Sequence, residues 1–300
     1  MRFLLIGGNG QVGSALRPVL ARLGDVVAPS RDDADLERPG ELARLITTVA
    51  PDIIVNAAAY TAVDKAETEP ERARLVNAEA VATLAAAAHR AGIWLVHFST
   101  DYVYDGNKPT AYVETDEAQP LSQYGLSKLR GDQAIAASGC RHLIFRVSWV
   151  YAWGHANFPA AMLRLGADRA ELNVVADQVG APTSAGLIAG VTGAAIARIT
   201  DGPEADGLSG LYHLAAAGEV SRADLARFVL AEAHARGADL VLRPEGIVPI
   251  STAGYPAPAA RPLNSRLSTD RLRAAFGVAL PSWQDDMRQW VSDSLGEGAA

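Results

Sequence analysis

The sequence predicts an α/β protein built on a doubly wound parallel sheet, with a smaller, interleaved C-terminal substrate-binding region. Three observations carry that expectation. Short apolar runs alternate with helical patterns through the first 150 residues, the arrangement of a parallel sheet covered on both faces. A glycine-rich loop, GGNGQVG, lies directly between the first apolar run and the first helical pattern. After about Val150 the alternation loosens into Pro-containing loops, short strands and helices. The expected division is 1–150 for a dinucleotide-binding domain and 151–300 for a mainly substrate-binding region, interleaved with the first.

The elements follow in order. Residues 3–6 read as a strand, and 11–23 as an apolar-periodic helix. Strands are expected at 25–28, 53–55, 93–98 and 142–147. Thr68-Glu-Pro-Glu71 has the form of a capping box with proline in the first turn. It opens a long Ala-rich helix expected to run to Ala91 and stop at Gly92. Another helix should carry Tyr124 and Lys128. Beyond 150, strands are expected at 172–175 and 211–214, and helices at 185–199 and 221–236.

Bulk properties exclude several classes. A net charge of -7 argues against a general binder of nucleic acid or anionic membranes, though single arginines and backbone amides can still hold phosphate. The lone Cys140 forbids an intrachain disulfide and suits a reducing compartment. The N-terminal apolar run is far too short for a signal peptide. No apolar stretch approaches the ~20 residues of a membrane span. A cytoplasmic enzyme is expected.

Gly7, Gly10 and Gly13 suit a phosphate loop: the first permits a tight turn, the second lets backbone approach a pyrophosphate, and the third allows close helix–strand packing. The second strand ends in Ala28-Pro-Ser-Arg31 with no acid. An arginine there favours a 2′-phosphate, so NADPH is expected, with NADH the alternative because Asp32 and Asp33 could offset Arg31. The Asp35-Leu36 pair suits the adenine amino group, or is a solvated loop. Asn56-Ala-Ala-Ala59 supplies small residues after the third strand. Ser99-Thr100-Asp101 ends the fourth, where ligands of such sheets bind. Tyr124 and Lys128 are four residues apart, on one helix face. A phenol with an ordinary pKa of about 10 is brought toward the working range by an ammonium one turn away, which suits proton transfer to a carbonyl oxygen.

These motifs have a combined resemblance. GGNGQVG, VNAAAYTAVDKAE, STDYVYDG, YGLSK, FRVSWVY, DQVGAPTS and RPLNSRL occur in that order. Across nearly its full length the chain resembles the dTDP-4-dehydrorhamnose reductase family, within the Rossmann-like extended short-chain dehydrogenase/reductases. The resemblance implies hydride transfer from NAD(P)H to C4 of dTDP-4-dehydro-β-L-rhamnose, the last step of dTDP-L-rhamnose synthesis. It implies Tyr124 as general acid, Lys128 as the group that lowers its pKa and bonds the nicotinamide ribose, and Thr100 as the hydroxyl of the triad. Thr100, Asp101 and Trp149 match substrate-contacting positions. Gly10, Gln11, Val12, Asp35, Leu36, Ala59, Tyr60 and Thr61 match cofactor-contacting ones. Asn264 and Ser265 either reach the nucleotide or form a structural loop.

Two departures stand out. Some members bridge subunits through Mg²⁺ held by glutamates, and the matching Ala15 and Gly186 cannot ligate it. No metal is therefore expected, and a monomer or a homodimer without a shared metal follows. Tyr60 stands where some relatives carry histidine. The rival classes are a non-catalytic NADP-binding regulatory relative, and an epimerase or dehydratase acting on another nucleotide sugar. The intact Thr100, Tyr124 and Lys128 weigh against the first. The lack of an Asp-Glu pair beside Asp101 weighs against a dehydratase.

Overall fold

The alternating pattern becomes one sheet of six strands, all parallel. The computed structural model describes residues 1–201 and 205–296. Strands β1 (Arg2–Ile6), β2 (Asp25–Val27), β3 (Ile53–Asn56), β4 (Trp94–Thr100), β5 (His142–Val147) and β6 (Gly210–Leu214) lie in the order β2-β1-β3-β4-β5-β6. The order reverses at β1, the point where such sheets open a crevice at the carboxyl edge. Register keeps that edge level: Ile6 pairs with Asn56, and Thr100 with Val147.

The helices used below are α1 (Gln11–Ala21), α2 (Pro39–Val49), α3 (Ala80–Ala91), α4 (Gln123–Ala137), α5 (Phe158–Gly166), α6 (Ala185–Asp201), α7 (Arg222–Ala235) and α8 (Trp283–Gly296). Alternate residues of β1 feed opposite cores. Phe3 and Leu5 pack with Leu16 and Leu20 of α1 and Ile188 and Ile196 of α6. Leu4 and Ile6 pack with Leu42 and Ile46 of α2 and Val81 and Leu84 of α3. Burial on both faces is why these strands read as unbroken apolar runs. A third core joins Met162 of α5, Leu225 and Val229 of α7, and Met287 and Trp290 of α8.

Two expectations change. Residues 211–214, expected as a short strand of the second region, belong to β6 in the main sheet. Tyr212 and Leu214 pack in the first core while Leu211 faces the second, the two-sided burial of a sheet strand. The capping box at Thr68 does not form. Thr68 Oγ1 donates to Lys65 O at 3.1 Å, and the N-cap is Glu69, with no side-chain cap. Proline at the first helical position has no N–H to satisfy there. The long helix is also interrupted by a π turn over Leu75–Glu79. Such turns often mark functional positions, and this one carries Asn77. Its Oδ1 accepts the Tyr60 N–H at 2.9 Å, and its Nδ2 donates to Tyr60 O and Ser127 Oγ. The loop after β3 is thereby tied to α4.

A buried polar line runs through the sheet behind the site. Asp132 Oδ2 accepts from Ser99 Oγ at 2.9 Å and from Arg146 Nε at 3.0 Å, and Arg146 Nη1 donates to Tyr104 OH at 2.8 Å. Asp132 and Arg146 are both buried, so removing one partner strands the other. Arg146→Leu is expected to cost about 3–5 kcal/mol of stability, read as a lower midpoint in chemical denaturation. Unchanged stability would contradict the buried pair.

Candidate active site

The glycine loop is shaped by a backbone contact. Gly7 has φ +79, and a Cβ there would lie 2.6 Å from Ala58 N, while a Cβ on Gly13 would overlap the Gly7 carbonyl. The turns after β1 and β3 therefore touch, and α1 starts hard against β1. Gly10 caps α1 without a side chain, and no acid occupies the first turn. Its first amides and the positive end of its dipole face the opening, the chemistry that holds a pyrophosphate. Gly7, Gly10, Gln11 and Val12 line a cleft of about 960 Å³. Gly13 sits behind the loop.

Arg31, Asp35, Leu36, Ala59, Tyr60 and Thr61 line one region of this cleft. Arg31, 73% exposed, pairs with Glu37 at 2.9 Å. Its offset is thus not Asp32 or Asp33; Asp33 accepts from Ser30 Oγ instead. Glu37 also holds Arg72 at 2.8 Å, so two guanidinium groups share one carboxylate at the rim. Asp35 Oδ1 accepts the Glu37 N–H at 2.9 Å. Leu36 is buried in the core under α2. Tyr60 OH donates to Glu69 at 2.9 Å.

The carboxyl ends of β4 and β5 and the start of α4 supply the other region. Ser122 caps α4 by accepting the Gly125 N–H, which sets the turn carrying Tyr124 and Lys128. Thr100 Oγ1 donates to Asp101 Oδ1 at 3.2 Å and accepts the Tyr102 N–H at 3.2 Å. Tyr102 packs edge-on to Tyr124, ring centres 5.6 Å apart. Burial raises the Tyr124 phenol pKa well above its ordinary 10, opposed by a hydrogen bond with Thr100. Lys128 Nζ donates to Phe98 O of β4 at 2.6 Å and lies 3.2 Å from His97 Nε2. Burial pushes Lys128 itself down to about 8.

Trp149 has φ 47, a left-handed conformation rare for a bulky side chain. Its ring lies so close to Gly180 that a Cβ there would approach within 2.8 Å, which explains the glycine of the QVGAPTS segment. The other contact is Arg222, at the start of α7, whose guanidinium lies 3.6 Å from the Trp149 ring centre. Asp101 is buried, with Oδ2 lacking a hydrogen-bond partner. Asn264 does not face the nucleotide region: Nδ2 donates to Lys108 O and Thr110 O, at 2.6 and 2.8 Å, closing a loop. Ser265 is buried near Asp101 and opposes the rise in its pKa.

Sequence reasoning missed Glu37, Arg72, Tyr102, Arg222 and His97. Among the described residues no cluster of three or more His, Cys, Asp and Glu is suited to a metal.

Burial raises Asp101 to about 6, against the polar neighbours Ser265 and Thr100 and the charge of Arg222. The folded state thus prefers the protonated acid. That contribution to stability is complete below the ordinary carboxyl value and is lost as pH rises through about 6. Asp101→Asn, which mimics the protonated acid, should unfold a few degrees above the unaltered protein at pH 8, with the gap closing by about pH 4. A gap independent of pH would contradict the raised acid.

Known proteins match the chain along nearly its whole length. A family model described as the RmlD substrate binding domain matches residues 1–295. A dTDP-4-dehydrorhamnose reductase of Burkholderia thailandensis is 47% identical over 298 residues, covering 99% of this chain and 100% of the relative. One of Escherichia coli strain K12 is 45% identical over 297 residues, with 98% of each chain covered. The crystal structure of dTDP-4-dehydrorhamnose reductase from Bacillus anthracis in complex with NADP superposes with a TM-score of 0.86 at 30% identity, covering 97% of this chain and 99% of that one. The chain belongs to the dTDP-4-dehydrorhamnose reductase family.

Proposed function

We propose that this protein reduces the C4 ketone of dTDP-4-dehydro-β-L-rhamnose with NADPH, giving dTDP-β-L-rhamnose at the last step of dTDP-L-rhamnose biosynthesis. The observation that carries this is one cleft in which Thr100, Tyr124 and Lys128 share space with the bare N-terminus of α1. The activity for which the relatives are named and the NADP bound to the Bacillus anthracis enzyme support it.

Bound NADPH supplies the hydride. The α1 amides at Gly10, Gln11 and Val12 would hold its pyrophosphate, Asp35 the adenine amino group, and Arg31 with Arg72 the 2′-phosphate. Release of either arginine from Glu37 provides the donors. Ala59, Tyr60 and Thr61 form the wall after β3.

Tyr124 acts as the acid. Its raised pKa keeps the phenol protonated at neutral pH, and it gives that proton to the C4 oxygen as negative charge develops there. Thr100 offers its hydroxyl to the same oxygen. Lys128 in its charged form stabilises the phenolate left on Tyr124 and would bond the nicotinamide ribose. Asp101 and Trp149 hold the sugar, and Arg222, pressed on Trp149, faces the diphosphate. A chain of net charge -7 needs such local cations to attract an anionic substrate.

We further propose residues 1–150 as the cofactor domain and 151–300 as the mainly substrate-binding region, a monomer or a homodimer without a shared metal, and the cytoplasm as its compartment. No helix among the described residues is long and apolar enough to cross a membrane.

Tyr124→Phe is expected to cut kcat by about 10²–10⁴ while leaving NADPH binding intact, followed as loss of nicotinamide absorbance with dTDP-4-dehydrorhamnose. Retained turnover would remove Tyr124 as the acid. Arg31→Ala should raise KM for NADPH about tenfold, the worth of one charged hydrogen bond, and leave KM for NADH unchanged. Equal effects on both cofactors would contradict the 2′-phosphate contact.

A further inference from the structure

β3 and β4 set Asn56 beside His97, both side chains are buried behind the cleft, and His97 lies against Lys128. Asn56 Oδ1 accepts the Ala58 N–H at 3.2 Å. The amide nitrogen, Nδ2, is therefore the end that faces His97 Nδ1 at 3.1 Å. An amide NH₂ only donates, so Nδ1 must accept. The imidazole proton then sits on Nε2, 3.2 Å from Lys128 Nζ. An ammonium has three donors and no acceptor. The His97 N–H meets another donor when Lys128 is charged, and a lone pair when Lys128 is a neutral amine. The bond from Lys128 to Phe98 O survives in either state.

We propose that Asn56 and His97 are positioning residues that ready Lys128 to give up its proton: Asn56 fixes His97 in the Nε2–H form, and that N–H stabilises the neutral amine. The proposal rests on Tyr124 as the proton donor. Once the Tyr124 O–H bond has broken and its proton has passed to the substrate oxygen, a Lys128 N–H bond breaks and refills the phenolate one helix turn away. The amine left behind accepts the His97 N–H and regains a proton from water in the open cleft. His97 keeps its own proton throughout and stays uncharged, because burial and the charge of Lys128 hold its pKa well below 6.5.

The other groups around Lys128 do not supply this effect. On α4 itself, Asp132 favours the charged amine, but its Oδ2 is engaged by Arg146 of β5 at 3.0 Å and by Ser99 of β4. Tyr124 is a neutral phenol. His97 is the group from β4 that opposes the charge at contact distance, on an amine that burial already depresses to about 8.

The test is the pH profile of NADPH-dependent reduction for the unaltered enzyme, His97→Gln and Asn56→Asp. Glutamine offers Lys128 a carbonyl oxygen. Aspartate at 56 accepts from Nδ1, which moves the proton off Nε2, and its carboxylate adds to the preference for the charged amine. The alkaline limb, near pH 8 in the unaltered enzyme, should move up by roughly half a unit or more in both variants, with kcat falling more than KM for NADPH changes. Folded, active variants whose limb stays in place would overturn the proposal, since a merely structural role lowers activity without moving it. Long-range ¹H–¹⁵N NMR of the unaltered protein reads the His97 tautomer without any variant: Nε2–H is expected, and Nδ1–H would overturn the pair. An unaltered enzyme that oxidises no NADPH would count against the reductase activity itself, leaving the tautomer to judge this pair.

Discussion

Everything at the cleft depends on one constraint, that all six strands point the same way. A parallel sheet delivers every strand's carboxyl end to the same edge. With Ile6 beside Asn56 and Thr100 beside Val147, the glycine loop, the alanine wall, Thr100 and Trp149 all emerge at one level. The contact of Gly7 with the Ala57–Ala58 backbone then fixes how far apart the first two loops sit. A side chain at Gly7 or Gly13 would push the loop from β1 and disturb the helix N-terminus with it.

Burial then sets the charges. Tyr124 and Asp101 are raised and Lys128 is lowered, in each case chiefly by desolvation. All three shifts favour the neutral form. The acid is therefore held protonated, and Lys128 is brought close to the pH at which it can exchange a proton. Cations that must stay charged stand nearer the rim or against a partner: Arg31 and Arg72 share Glu37, and Arg222 lies on Trp149. The cleft thus separates a proton-handling interior from an anion-attracting edge.

Much of this was legible in the sequence, because its strongest signals are local. The glycine spacing, Tyr124 four residues before Lys128, and Thr100 at a strand end each depend on a few adjacent positions. What stayed hidden depends on tertiary contact. Glu37 meets Arg72 across 35 residues, Arg222 reaches Trp149 from the start of α7, and His97 reads as one more strand residue until Asn56 and Lys128 are placed beside it. The π turn at Leu75–Glu79 has no apolar signature, since it shifts the helix by a single residue. The sheet membership of β6 was missed because a five-residue strand carries too little pattern to show which sheet it joins.

The central claim is that hydride passes from the cofactor to C4 of the sugar while Tyr124 supplies the proton. Reduction of dTDP-4-dehydrorhamnose with NADPH deuterated at the transferring position of the nicotinamide tests the hydride half directly. The account predicts one deuterium at C4 of the dTDP-rhamnose formed, with one NADPH consumed per sugar. Product lacking deuterium at C4, or sugar converted with no net loss of NADPH, would contradict it.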